Sequence, residues 1–516
     1  MSPRFSIVTP VFNPPLWAFE ECVKSVLQQD FSDWEWCLAD DCSTDPRVRK
    51  RLIKLAKSDP RIKIVFRESN GGIVEASNSA LSLASGEFVA LLDHDDSLTT
   101  DALSSMLTAI ESGENIDYLY SDEDKVDENG RHFDQFNKPD FAPERLRGQN
   151  YCCHFSVIRR TLMTDLNGFR AGFEGSQDYD LILRVSERAR SVVHIPKVLY
   201  HWRTVVGSTA TDVKAKPYVF ESARKAVADH CDRLGIKADV GILPIGYVRV
   251  ARHLTSTPLV SIIIPTRGDR KRVWSINTCL PANSIRSILE RSTYENFEIV
   301  VVHDRVQELD PDLSSVIVDD KVKIVWYDKP FDFSDKCNMG ALHAIGEILV
   351  FLNDDTEVLS ADWIESMIAL LQDQAVGMVG PMTVLEDGRI QSAGHGNNPN
   401  PHNLGAGEPV DAVGPFGERT ITREVSGVTG ACMAMRKSDY LTLGGMSLTL
   451  PHSFNDVDLA YKVLEAGLRI LWTPLAKLWH FESLSRNPAV REEEFHAIHR
   501  RWGHLFGRDR FTRTEG

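Results

Sequence analysis

Residues 86–96 read GEFVALLDHDD, and residues 346–356 read GEILVFLNDDT. Each is a short apolar run opened by Gly-Glu and closed by acidic residues. Runs this short are too brief for a buried helix and suit a central strand covered on both faces. Ligands of open parallel sheets bind outside the carboxyl ends of the strands, where both runs place their acids. The two stretches align without a gap, so a reading of one has to hold for the other.

Upstream of the first run, strands are predicted at 5–9 (FSIVT), 34–39 (WEWCLA) and 62–66, and helices at 16–28, 48–57 and 73–84. This alternation predicts an α/β chain with a mainly parallel sheet. Asn70-Gly71-Gly72 forms a turn whose backbone can approach a ligand, because glycine has no side chain and tolerates positive φ. No GxGxxG follows the first strand and there is no GxxxxGK[ST]. Their absence argues against a dinucleotide oxidoreductase and a P-loop NTPase.

The repeat extends well beyond the two runs. Asn78 precedes Asp95 by 17 positions and Asn338 precedes Asp355 by the same 17, with an offset of 260 between the pairs. Asp178 (GSQDYDL) lies 23 before His201 (YHWR), and Asp456 (FNDVDL) lies 24 before His480 (WHFES). FSIVTP at 5–10 is echoed by VSIIIPT at 260–266. A period this long is a whole domain. The expected organisation is a first domain at 1–215, a helical and extended linker at 216–257, a second domain at 258–489, and a basic helix and tail at 490–516. Residues 386–419, rich in Gly, Pro, Asn and His, read as a loop inserted in the second half.

With 516 residues, 42% of them hydrophobic and 25% charged, the chain is long enough for two domains with separate cores. A net charge of −15 argues against a nucleic-acid partner, which needs a basic face. Nine cysteines without a CxxC pair point to reduced thiols and a cytoplasmic setting. No apolar run reaches membrane-spanning length, and the N-terminus enters a strand with no signal peptide. The arginines of the tail (500, 501, 508, 510 and 513) suggest either a solvated end or peripheral attachment to anionic lipid at the inner face of the cell membrane.

A carboxylate pair such as Asp93 and Asp95 suits a hard divalent cation, Mg²⁺ or Mn²⁺, completed by water and substrate phosphates. His201 would add an imidazole, and Asp178 would be a base for an incoming hydroxyl. This amounts to group transfer from an activated nucleotide. Blander readings stand beside it. Asp95 or Asp96 could cap a helix starting near Thr99, Asp178 and Asp456 could cap the helices they precede, and Ser121–Lys125 (SDEDK) could be a surface charge run. His94, His303, His395 and His402 read as ordinary core or surface histidines, and Trp202, Trp472 and Trp479 as core.

Taken together the motifs resemble two consecutive family 2 glycosyltransferase domains of the GT-A fold, of the kind found in bacterial O-antigen and surface-polysaccharide assembly. In the first half they are TPVFN (9–13), ADDCSTD (39–45), NGG (70–72), LLDHDD (91–96), YSDEDK (120–125), GSQDYDL (175–181) and LYHWR (199–203). In the second they are SIIIPTR (261–267), CNMGA (337–341), FLNDDTE (351–357), TGACMAMR (429–436), FNDVDLAYK (454–462) and HFESLSR (480–486).

The resemblance implies two nucleotide-diphospho-sugar transferase domains, Rossmann-like, with mainly parallel sheets. Asp41 and Asp304 would contact the nucleotide base. Asp93 and Asp95 would be the DXD acids, matched by Asn353 or Asp354 and by Asp355, with metal at Asp95 and Asp355. Asp178 and Asp456 would be the inverting bases, and His201 and His480 late metal ligands. Pro10, Asn70, Asn78, Pro265 and Asn338 fall on the donor side; Asp122, Gln177, Trp202, Arg203, Asn455 and Glu482 fall on the acceptor side or behind the reacting groups. The implied partners are a nucleoside-diphosphate sugar and a glycan or lipid-linked glycan acceptor, with Mn²⁺ or Mg²⁺ as cofactor. Gln177 stands where the family has Glu, Asn353 replaces the first acid of DXD, and 301–306 (VVHDRV) lacks the Asp-Gly-Ser turn. Two alternatives therefore stay open: a second domain reduced to binding or docking, and a non-catalytic glycan- or nucleotide-binding protein.

Overall fold

The computed structural model describes residues 2–204, 217–305, 308–481 and 490–512. Glu482, the boundary near 215, most of the HFESLSR motif, Val306 and Arg513 lie outside the described residues. The chain divides into two compact units, one formed by 1–236 and 240–249, the other by 237–239 and 250–512.

In the first unit the elements run β1 (Phe5–Val11), α1 (Leu16–Leu27), β2 (Trp34–Asp40), α2 (Pro46–Ser58), β3 (Ile62–Phe66), α3 (Gly72–Leu81), β4 (Phe88–Leu91), β5 (Ser97–Leu98) and α4 (Ala102–Ser112). Then come β6 (Tyr118–Val126), β7 (His132–Phe136), α5 (Pro143–Gly148), β8 (Ser156–Arg159), α6 (Arg160–Asp165), α7 (Gln177–Ser186), β9 (Val192–Arg203) and α8 (Pro217–Arg233). The sheet order is β3-β2-β1-β4-β8-β6-β9-β5, with β7 on β6. Strands β3, β2, β1 and β4 pair in parallel, and β4 with β8 antiparallel. The α8 helix, expected as linker, packs on α7, and its His230 Nδ1 lies 2.7 Å from Glu187 Oε1. A short strand pair follows, β10 (Ala238–Ile242) and β11 (Val248–Arg252).

The second unit repeats the plan with β12 (Val260–Thr266), β13 (Arg270–Val273), β14 (Ile276–Cys279), α9 (Leu280–Arg291), β15 (Phe297–Asp304), α10 (Pro311–Val316), β16 (Val322–Tyr327), α11 (Phe333–His343), β17 (Ile348–Leu352), β18 (Thr356–Val358) and α12 (Trp363–Ile368). It continues through β19 (Val376–Val384), β20 (Ile390–Ser392), β21 (His395–Gly396), β22 (His402–Asn403), β23 (Arg423–Glu424), β24 (Cys432–Arg436), α13 (Lys437–Thr442), α14 (Asn455–Glu465), β25 (Arg469–His480) and α15 (Glu492–Trp502). The order β16-β15-β12-β17-β24-β19-β25-β18 matches the first sheet strand for strand, with β20 on β19 and β23 on β25. The segment expected as an inserted loop carries β20 to β22 and packs Ile390, Ala393 and Leu404 into the interior. Its polar composition hid these few apolar anchors.

The Gly-Glu that opens each acidic run has a steric cause. A Cβ on Gly86 would come within 2.7 Å of Ser6 Oγ, and one on Gly346 within 2.6 Å of Ser261 Oγ. Each glycine N–H instead donates to that serine hydroxyl, at 2.8 and 2.9 Å, and the hydroxyl donates to Glu35 or Glu298. The close approach sets β4 against β1 and β17 against β12. Both faces of each sheet are covered, which accounts for strands that are buried along their whole length, such as β2 and β19. Each large aliphatic or aromatic side chain removed from water there stabilises its unit by about 1.5–3 kcal/mol.

Candidate functional sites

In the first unit, β4 ends at Leu91 and delivers Asp93, Asp95 and Asp96 to the strand end. The helix after them, α4, starts at Ala102 with Asp101 at its N-cap, so Asp95 and Asp96 are not its caps. Asp96 accepts from Tyr200 Oη at 2.5 Å and from the Arg203 backbone N–H at 2.7 Å, while Arg203 Nε donates to the Asp95 carbonyl at 2.9 Å. Burial, reinforced by Asp95, raises the Asp93 carboxyl above its usual range, and burial followed by Asp95 and Asp93 raises Asp96 far above it. Among the described residues no lysine or arginine pairs with the side chain of Asp93 or Asp95. Partly buried acids with no lysine or arginine beside them are a fitting oxygen donor set for Mg²⁺ or Mn²⁺.

Asp178 stands in the first turn of α7, where Asn150 Nδ2 donates to it at 2.8 Å and burial raises its pKa. Gln177 Oε1 accepts from the Gly175 N–H, which stabilises the turn ahead of the helix. Asp41 is held by Arg67 Nε (2.8 Å) and by the N–H groups of Gly71 (2.9 Å) and Gly72 (2.8 Å), and Asn70 donates to its carbonyl. Gly72 needs its glycine for a φ of 81°, and a Cβ on Gly71 would fall 2.5 Å from Arg67 Nη2. The Pro10 carbonyl lies 3.0 Å from His94 Nδ1. Asn78 is committed elsewhere: its amide exchanges two hydrogen bonds with the Phe169 backbone, and Asn338 makes the same pair with Met446. These two ties join helix α3 or α11 to a distant loop, a framework role for both amides.

In the second unit Asn353, Asp354 and Asp355 follow β17. His480 Nε2 lies 3.3 Å from Asp355 Oδ1 and 3.4 Å from Asn353 Nδ2. Among the described residues, Asn353 Oδ1 and His480 Nδ1 are buried with no hydrogen-bond partner. This mixed oxygen and imidazole set also fits a divalent cation. Burial, with Asp355 beside it, pushes the Asp354 carboxyl up to about 7, against the hydrogen bond from Thr266 Oγ1 at 2.5 Å. Asp456 accepts from the N–H groups of Gly430 and Val457, both at 2.8 Å, and Asn455 Oδ1 accepts from the Asp456 N–H. Asp304 is paired with Lys336, whose ammonium is 2.5 Å away and donates to the Thr266 carbonyl at 2.6 Å. Pro265 lies within β12 opposite Val302 of β15.

The two late histidines are not placed alike. His480 of β25 pairs with Thr356, whereas His201 of β9 pairs with Ser97, one residue beyond the position aligned with Thr356. A slip of one residue turns a side chain to the other face of a strand. Trp202 therefore takes the place of His480, and His201 turns to Asp124, with Nδ1 2.6 Å from Oδ1. Among the described residues no hydrogen bond or ion pair joins His201 to Asp95; its imidazole is engaged with Asp124. The signal was present as a spacing of 23 in one half and 24 in the other.

His154 supplies an imidazole in this region instead. Its ring lies 4.5 Å from Trp202 and 5.5 Å from Tyr200, and it interacts electrostatically with Asp93, Asp96 and Asp178. Glu123 holds it through both its N–H (2.7 Å) and Nδ1 (3.0 Å). Burial disfavours the imidazolium, yet Glu123 lifts His154 to about 9. Burial likewise opposes the Glu123 carboxylate, but Lys138 and His154 hold it at about 2. The SDEDK stretch is thus no surface run. Asp122, Glu123 and Asp124 are buried on β6, and each has partners: Asp122 accepts from the Lys138 N–H at 2.8 Å and lies 2.7 Å from His194 Nε2. Sequence reading also missed Lys336, and it missed His395, which is buried within electrostatic reach of Asp456.

Two matched acidic strand ends, each followed later in its unit by an aspartate in the first turn of a helix, repeat one arrangement in both halves of the chain. The chain belongs to glycosyl transferase family 2, whose model matches residues 6–166 and again 261–444. It is 40% identical to an uncharacterized protein, y4gI, of Sinorhizobium fredii over 94% of this chain and 54% of the relative. It is 33% identical to the O-antigen biosynthesis protein RfbC of Myxococcus xanthus, over 97% of this chain and 39% of the relative. The chain thus spans about half or less of the length of these curated relatives. Among solved structures, S. aureus TarS matches at 22% identity with a TM-score of 0.36, over 44% of this chain and 39% of that one. Among the described residues no helix is long and apolar enough to cross a membrane.

Proposed function

We propose that both units are metal-dependent inverting glycosyltransferases acting in turn on a growing cell-surface glycan. The observation that carries this reading is the repetition of one constellation: strand-end acids, and Asp178 or Asp456 at the start of the later helix. A divalent cation, Mn²⁺ or Mg²⁺, would be held by Asp93 and Asp95 in the first unit and by Asp355, His480 and Asn353 in the second. When bound, it would neutralise the diphosphate of a nucleoside-diphosphate sugar.

Asp178 or Asp456 then takes the proton of the acceptor hydroxyl as that oxygen attacks the anomeric carbon and the bond to the diphosphate breaks, with inversion. The raised pKa of Asp178 makes it a stronger base than a solvated carboxylate. Asp41 and Asp304, at matching strand ends, would contact the nucleotide base. Arg203, bonded to Asp95 and Asp96, fixes the acidic turn.

The test is nucleoside-diphosphate release from UDP-, dTDP- and GDP-sugars with Mn²⁺ or Mg²⁺, in the wild type and in Asp178→Ala and Asp456→Ala. Each substitution should remove one of two transfers. A product unchanged by Asp456→Ala would reduce the second unit to a binding module, and no release with any donor and candidate acceptor would leave a non-catalytic protein. A lipid-linked acceptor, reached by peripheral association at the cytoplasmic face, is part of the proposal. Failure to sediment with anionic vesicles at low salt would remove that part.

A further inference from the structure

We infer that Asp124, His132 and His201 form a second kind of metal site in the first unit, one for a transition-metal cation of the Zn²⁺ or Co²⁺ class. One ligand atom from each of the three lies within 4.8 Å of the others. His201 Nδ1 is 2.6 Å from Asp124 Oδ1, His132 Nδ1 is 3.0 Å from Asp124 Oδ2, and the two rings meet edge to face at 4.5 Å.

Three strands build the cluster. Parallel pairing of β6 with β9 sets Asp124 opposite His201, and antiparallel pairing of β6 with β7 sets His132 opposite Val126, two residues along the strand from Asp124. The register slip that removes His201 from the strand-end acids is what brings it here.

The donor set decides the class of cation. Two imidazoles and one carboxylate suit Zn²⁺, Co²⁺ or Ni²⁺, whereas Mg²⁺ prefers an all-oxygen shell. Asp124 is buried while the His132 side chain is 50% exposed, so a three-ligand site here would be open to water for its remaining position. Among the described residues no hydrogen bond or ion pair connects the cluster to Asp93 or Asp95. The inference therefore stands or falls apart from the proposed transfer chemistry. In the absence of a cation the carboxylate bridges the two rings by hydrogen bonds. Metal binding would displace ring protons and clip the β6–β7 hairpin to β9.

The experiment is calorimetric titration of the chelator-treated full chain with Zn²⁺, and visible absorption with Co²⁺, in the wild type, His132→Ala, His132→Gln and Asp95→Asn. His132 is half exposed, so both His132 variants should fold, as a thermal melt without metal verifies. The expected result is a Zn²⁺ equivalent present in the wild type and Asp95→Asn but weakened at His132. That weakening should exceed the roughly 10–100-fold typical of losing an outer-shell partner. Superimposable titrations for the wild type and both His132 variants would overturn the site. So would loss of the same equivalent in Asp95→Asn.

Discussion

Asp41 and Asp304 end matching strands, yet they are held by different means. Around Asp41 the charge is shared by Arg67 and two backbone N–H groups of a glycine turn. Around Asp304 the segment aligned with that turn reads Pro330-Phe331-Asp332, and Lys336 reaches in from helix α11, its ammonium 4.7 Å from the Phe331 ring. Backbone donors hold a carboxylate in a fixed direction. A lysine is a point charge on a flexible stem. One scaffold thus presents the same acid in two settings.

The largest expected effects test whether both halves work. Asp178→Ala and Asp456→Ala should each lower one transfer rate by about 10²–10⁴-fold, as loss of a general base does, with the other transfer intact in a product assay. Next comes the difference in how the two acids are held. Lys336→Met leaves Asp304 buried and uncompensated and should cost the second unit about 3–5 kcal/mol in denaturant unfolding. Arg67→Met, with the glycine N–H groups remaining, should cost the first unit less, about 1.5–3 kcal/mol. Equal costs would erase the distinction.

A smaller effect concerns the metal. Asn353→Asp should tighten Mn²⁺ binding in the second unit roughly tenfold, because affinity tracks ligand charge. Calorimetry that shows no change would mean Asn353 is not a ligand. The smallest effect is a pH slope from His154. Its pKa is raised to about 9, so its contribution to stability is full below 6.5 and is lost as pH rises through about 9. The wild-type melting temperature should therefore fall between pH 6.5 and 9 by more than that of His154→Gln. Parallel profiles would detach His154 from Glu123.

Most of the architecture was legible in the sequence because the strands are buried on both faces and read as unbroken apolar runs. The gapless repeat made each half a check on the other. Positions fixed by tertiary register were not legible. His201 and His480 occupy similar motifs, but only strand pairing shows that one faces the acids and the other Asp124. His154 lacked a local motif, since its role depends on a stack against Tyr200 and Trp202 and on Glu123 from another strand. Lys336 carried no local signal, because its pairing with Asp304 joins α11 to the end of β15. In the other half the aligned position is Ala76, and backbone N–H groups of Gly71 and Gly72 serve the acid in its place.

The pairing of β5 with β9, and of β18 with β25, has a consequence for biogenesis. Each acidic strand end is followed by a short strand that, among the described residues, pairs only with a strand made much later in the chain. Until that neighbour leaves the ribosome, Asp96 has neither Tyr200 nor Arg203, and Asp355 has no His480. Each candidate site is therefore among the last features of its unit to close during synthesis, so a nascent chain carries the acids long before it can arrange them around a cation.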